Sequence, residues 1–334
     1  MQRLLNRRCA LVGLGLCGLG SVGTASPTRG DVFRGFAGTE VRFAAVEVGQ
    51  AILAVNDAWI SATSDFQRSA IMRKPGPISM QDFIEWNRQA VQPWHTDQRA
   101  RWLSALKELA PAFNALRVPL PRVVHLISST GQESSGAAYT RANAVALTTE
   151  DLPTGFTDAK LLAHELWHVA ARHAPMTASK MYAEIGFLPI PDLLFPRQWQ
   201  AIRIANPDAP RNAHAMRLQL DDRSTWITPV VVASRTQLNP LESFFDVMEV
   251  RLLEVTPGRG SGPSLAVIQE GEPSWHPIDG RHNYLEQLGG NTDYVNHYEE
   301  VMADNVALLA TGADAHNPSL LGRLRAVLLG ANRR

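Results

Sequence analysis

An α+β fold is predicted, with a small mixed or antiparallel sheet packed on one central helix, a mainly helical region before it and a helical subdomain after it. Three observations predict it. Apolar residues recur at three-to-four spacing before residue 115, the period switches to alternation in two later stretches, and the helical period returns after residue 292. The 334 residues exceed one small compact unit, and 45% hydrophobic against 19% charged residues is the balance of an ordinary globular chain.

Residues 1–25 read as a signal peptide: Arg3, Arg7 and Arg8 precede an apolar, glycine-rich run from Cys9 to Gly23, and VGTAS offers small residues for cleavage after Ala25. A periplasmic or secreted location follows. The run is short for a membrane span, so no stable insertion is expected after cleavage, with an uncleaved anchor as the alternative. Removing it takes away three arginines and leaves 29 basic against 32 acidic residues, a net charge of −3. Such a surface does not suit nucleic acid. Both cysteines, Cys9 and Cys17, leave with the segment, so a transition-metal site in the mature chain must be built from His, Asp and Glu.

The expected organisation is a mainly helical N-terminal region, 26–115, followed by a second domain, 116–334. AVEVGQAILAVNDAWISATSDF and QRARWLSALKELAPAFNAL supply the early helices, separated by a turn at RKPGP. RVVHLIS and AYTRANAVAL then read as strands around the loop STGQESSGA. Thr157 is placed to cap a helix over 158–173 that stops before Pro175. Residues 186–213, rich in Pro, Asn and Asp, read as a long surface excursion. Met216, Leu218 and Leu220 alternate into a strand, and WITPVVVAS returns as another. Asn239-Pro240 is expected to open a helix through ESFFDVMEVRLLEV, and a Gly/Pro/Ser stretch from Thr256 to Pro277 breaks the pattern. A final helical region covers 292–330, with a helix over 294–310.

The helix over 158–173 contains HELWH. Residues four apart on an α-helix differ by about 40° in azimuth and about 6 Å in rise, so His164 and His168 project from one face toward a single ion. Glu165 beside the first histidine can reach the attacking water without becoming a ligand. Hydrolytic zinc sites take three protein ligands and keep one position open. Ala171 and Ala174 stand where a continuing His/Gly pattern would be needed, and His173 points away, so the third ligand must come from a second helix. Two segments offer Glu followed by Asp four residues later: Glu242 with Asp246, and Glu300 with Asp304. Asn239 makes Glu242 part of a capping pattern. Glu300 lies among apolar neighbours in YVNHYEEVMADNVALLA, where a carboxylate needs a stronger reason, and is preferred. Asp304, one turn on, would then accept from the far nitrogen of a ligand histidine. Tyr294, His297 and His282 are candidates for stabilising a developing oxyanion, and AYTRANAVAL for pairing with a substrate backbone. Trp167 reads as core, while Arg172 and Lys160 read as solvated.

HELWH with EVMAD resembles the HExxH and ExxAD pair of the gluzincins, the thermolysin-like zinc peptidases. RIANPDAP at 203–210 together with GGNTDYVNHYEEVMADNVALL at 289–309 is similar to a sparsely characterised family of HExxH metallopeptidases with an NTDYxxHxEExxADN pattern. The resemblance covers about residues 160–330 and departs at Tyr298, where that family has proline. It implies a zincin-like fold, one zinc ion held by His164, His168 and Glu300, Asp304 behind them, and a peptide or protein substrate cleaved with Glu165 as base. A zinc hydrolase acting on another amide, such as cell-wall material, and a non-catalytic metal-binding envelope protein are the alternatives.

Overall fold

A computed structural model describes residues 31–148, 152, 155–220, 222–239 and 242–330. The expected signal peptide and both cysteines lie outside the described residues. The fold is mixed α+β, built on two main sheets with helices between and around them.

The first sheet begins with a hairpin, β1 (Val32–Phe36) and β2 (Thr39–Phe43), and continues after α1 (Val46–Leu53), α2 (Ala58–Ala62), α3 (Asp65–Met72) and α4 (Met80–Gln89). Then come β3 (Val91–Gln92), α5 (Thr96–Leu116), β4 (Val123–Ser129), β5 (Tyr139–Arg141) and β6 (Ala144–Thr148). The first predicted helical stretch is therefore three short helices. Asp57 and Ser64 cap the second and third by accepting backbone N–H groups, which stops one helix and starts the next.

Strand order in this sheet is β1-β2-β4-β6-β5, with β3 also paired to β4. The neighbours β2, β4 and β6 run parallel, while β5 forms the edge and runs antiparallel to β6. AYTRANAVAL is thus a hairpin folded at Ala142-Asn143. Alternation sets its two faces: Val124, Leu126, Val145 and Leu147 pack toward α5, whereas Ile127, Ala144 and Ala146 pack toward α1 to α4.

Next in the chain are α6 (Asp158–His173), α7 (Pro175–Ala183), β7 (Phe187–Pro189), β8 (Leu193–Leu194), β9 (His214–Gln219), β10 (Ser224–Ala233) and β11 (Met248–Thr256). The chain ends with β12 (Ser264–Ala266), β13 (Ile268–Gln269), β14 (Glu272–Pro273), β15 (Trp275–His276), α8 (Tyr284–Leu288), α9 (Tyr298–Thr311) and α10 (Pro318–Leu328). The second sheet runs β7-β9-β10-β11-β12-β8, with β15 also paired to β11.

Two expectations fail here. The predicted helix through ESFFDVMEVRLLEV is a 3-10 turn, Phe244–Val247, followed by β11, which pairs with β10 from Met248 to Glu254. Val250 and Leu252 face one core and Leu253 and Val255 another, so the strand is apolar on both sides and its period is masked. The stretch 186–213 is no surface excursion either. Phe187, Phe195, Trp199, Ile204 and Ala205 are buried, because its polar and proline-rich part finds hydrogen-bond partners in the interior.

The centre of the molecule is α6. Every residue from Leu161 to Ala171 is buried, as befits a helix enclosed on all sides. Its Leu162, Leu166 and Val169 join the core beneath the first sheet with α5, and its Trp167 and Ala170 join the core shared with α7, α9, α10 and the second sheet. Trp167 is core, as the sequence predicts.

Candidate metal centre

Thr157 caps α6 by accepting the N–H of Lys160 at 3.1 Å, so the helix spans the predicted residues and presents His164 and His168 on one face. Opposite lies α9. It begins at Tyr298, later than expected, because His297 is extended and its Nδ1 accepts the N–H of Glu299 at 3.2 Å. Tyr298 therefore occupies the first helical position, where proline is also well suited, and its departure from the family pattern leaves the helix start intact. Glu299 and Glu300 fall in the first turn rather than mid-helix, at the end whose dipole favours negative charge.

The two helices bring the predicted residues together. His164 donates from Nδ1 to Asp304 Oδ1 at 2.7 Å, and its Nε2 lies 3.0 Å from Glu300 Oε2. His168 donates from Nδ1 to Glu299 Oε1 at 3.1 Å, and its Nε2 lies 3.7 Å from the same Glu300 oxygen. Ligand atoms of His164, His168 and Glu300 all fall within 4.8 Å of one another, and all three residues are buried. Thr292 donates to the second oxygen of Asp304. Each imidazole thus turns Nδ1 to a carboxylate behind it and Nε2 to a common point, the orientation that a metal ligand requires.

Glu299 is the partner that sequence reasoning missed. It stands next to Glu300, and a paired Glu-Glu between Tyr298 and Val301 was the available signal. Two further residues join from the stretch read as surface. Asn206 donates from Nδ2 to Glu300 Oε1, and Asp208 forms with Glu165 and His168 a second group of mutually close ligand atoms. Arg172, expected to be solvated, is held instead: it donates to Asp208 O at 3.0 Å, to Ala142 O at 3.1 Å and to Thr140 Oγ1.

The other predicted residues divide. Tyr294 lies beside the site, its ring 6.4 Å from that of His164. His297 caps α9, and burial holds its pKa down to about 3, so it is neutral. His282 bonds Pro277 O at 2.8 Å and packs beside His276 and Tyr284, away from these contacts. Glu242 and Asp246 are brought nowhere near α6: Glu242 accepts from Arg235 and from Asn239 N, and Asp246 closes a capping box on Ser243.

Charge is the strongest property of the cluster. Glu165, Asp208, Glu299, Glu300 and Asp304 are all buried, and among the described residues Arg172 is the fixed cation packed against them. Burial penalises ionisation of Glu300, yet the two imidazoles outweigh it and hold this carboxyl well below the usual range. Burial disfavours a charged His168, but Asp208, Glu300 and Glu299 raise its pKa well above the ordinary value. Burial raises the pKa of Glu299 against its bond to His168. A concentration of carboxylates this dense is met by positive charge or by protonation.

A divalent ion of the zinc type fits these donors. Two imidazole nitrogens and one carboxylate oxygen are the donor set of a hydrolytic site, and ligand atoms around a tetrahedral zinc stand about 3.3 Å apart, the range found here. His168 Nε2, buried and aimed at the common point, has no hydrogen-bond partner among the described residues. No family model, no curated protein and no solved structure matches the chain.

Proposed function

We propose that this chain is a zinc-dependent metallopeptidase with a zincin-like catalytic core. The observation that carries the reading is the meeting of two Nε2 atoms from α6 and one carboxylate from α9, with Glu165 buried beside the first histidine. His164, His168 and Glu300 would hold one zinc ion, with Asp304 and Glu299 fixing the imidazoles and Asn206 touching Glu300. A bound zinc ion would supply Lewis acidity, acidifying water and polarising the scissile carbonyl.

The remaining steps belong to the chain. Glu165 takes a proton from the attacking water as its oxygen bonds to the carbonyl carbon, then delivers that proton to the amine nitrogen as the C–N bond breaks. Of the three oxyanion candidates, Tyr294 has the position for the role, since its ring lies beside a ligand imidazole. The edge strand β5, which packs against α6, supports an extended polypeptide as the substrate class. The arginine-flanked apolar run over residues 1–25 supports an exported, periplasmic or secreted enzyme.

A purely structural ion site is the competing reading, and complete enclosure favours it: His164, Glu165, His168 and Glu300 are each 0% exposed. A buried carboxylate at 165 argues the other way, since a structural site has no use for a base and burying one is costly. Glu165→Gln separates the two. A peptidase variant keeps about one zinc per chain and loses turnover of a peptide library by about 10²–10⁴-fold; equal turnover in both proteins contradicts the proposal.

A further inference from the structure

One segment that helps to enclose the site is the chain around Asn206, whose Nδ2 reaches Glu300. Ile204 N–H donates to Val231 O at 3.0 Å and Arg203 O accepts from Ser64 Oγ at 2.7 Å, which anchors the segment where it leaves the second sheet. Ala205 is then gripped three times: its N–H by Gln67 Oε1 at 2.8 Å, its carbonyl by Gln67 Nε2 at 2.8 Å and by Trp59 Nε1 at 3.0 Å. Asn206 latches onto Glu300, and its Oδ1 accepts the N–H of Asp208 at 2.9 Å. Asp208 Oδ1 accepts from the Thr140 hydroxyl at 2.6 Å and from Thr140 N–H at 2.7 Å.

That last contact locates the segment. Thr140 belongs to β5, the edge of the first sheet, and its outward N–H is where an added strand would pair. The segment therefore runs over the path a substrate would take between the sheet edge and the α6/α9 cluster. It also separates two spaces. Pro207–Arg211 line a largely apolar cavity of about 1000 Å³, Ile204–Asp208 line a small one of about 80 Å³ reaching Tyr294, and Trp59 borders both. Pro207 and Asp208 line both, so the segment is part of the wall between them.

We infer that residues 203–210 form an autoinhibitory strap, which occupies the substrate path in the resting chain and must lift before a polypeptide can reach Glu165. The inference rests on the peptidase reading of the site. The strap suits the task because discrete side-chain hydrogen bonds, rather than a sheet ladder, hold its central residues. It also explains how a catalytic constellation can be sealed without being structural: Ile204 and Ala205 seat the strap in the core, and side-chain hydrogen bonds latch the part over the site.

The test is the rate at which the zinc-loaded full chain yields its metal to excess chromophoric chelator, in wild type, Asn206→Ala, Gln67→Ala and Trp59→Phe. Gln67 and Trp59 touch the strap and none of the proposed ligands, so the strap predicts release at least about 10-fold faster in Gln67→Ala and a smaller acceleration in Trp59→Phe. Trp59→Phe decides the matter if Gln67→Ala does not fold. Acceleration in Asn206→Ala alone would make Asn206 a mere support of Glu300, and the strap would be overturned. Faster release in the Gln67 or Trp59 variant with no turnover of a peptide library by any protein upholds the strap and rejects the peptidase. Should the purified chain hold no zinc, the rate of carbethoxylation of His164 and His168 replaces metal release as the readout: faster modification in Gln67→Ala supports the strap, and an unchanged rate refutes it.

Discussion

Two buried carboxylate clusters in this molecule solve the same electrostatic problem in opposite ways. On β11, Glu254 accepts from Arg223 at 2.5 and 3.0 Å, from His276 at 2.6 Å and from Thr225 at 3.1 Å. Burial works against its ionisation, yet these donors hold its pKa down at about 2. One negative charge meets one arginine, and the two balance. Between α6 and α9 five carboxylates meet Arg172 and two histidines, and the imidazoles, bonded to carboxylates through Nδ1, turn their Nε2 atoms inward. The first arrangement is complete as protein. The second leaves more buried acid than fixed base, which is what suits it to the cation we propose there.

The largest effect that can break this contrast is catalytic. Glu165→Gln should lower peptide turnover by about 10²–10⁴-fold with metal content unchanged, as measured by a library cleavage assay beside elemental analysis. The matching change in the closed cluster, Glu254→Gln, should leave zinc content and turnover alone and lower unfolding stability by about 1–2 kcal/mol in denaturant titration, the exposed Arg223 limiting the loss. Its pH signature has a definite sign. The Glu254 pKa is depressed from 4.5 to about 2 in the folded chain, so its contribution is fully present above pH 4.5 and lost as pH falls toward 2. Glu254→Gln should flatten that part of the stability curve.

Smaller changes sharpen the contrast from inside the open cluster. Glu299→Gln and Asp304→Asn each remove a carboxylate that orients an imidazole of the proposed site, so zinc affinity by competitive titration should fall about 10–100-fold in both. Glu242→Ala provides the baseline. Its carboxylate is committed to Arg235 and Asn239, and zinc affinity should not move.

Much of this centre was legible in the sequence because its chemistry is local. Helical spacing puts His164 and His168 on one face whatever surrounds them, and Thr157 fixes where that helix starts. Glu300 and Asp304 were legible for a related reason, acids one turn apart in an otherwise apolar helix. What escaped depends on tertiary neighbours. Glu299 has its role only because His168 Nδ1 arrives from another helix, and Asn206, Asp208 and Arg172 have theirs because β5 and the loop before β9 converge on them. Polarity and proline made that loop look external, when its polar groups are the ones that satisfy one another inside. In β11 the failure was of period: with both faces apolar, alternation vanishes and a strand imitates a buried helix.

Metal content of the purified chain beside Glu300→Ala and Glu254→Gln probes the central claim most directly. Wild type and Glu254→Gln should each carry about one zinc per chain while Glu300→Ala, still folded, carries far less. Equal zinc in all three, or none in any, would contradict the claim that α6 and α9 converge to hold an ion.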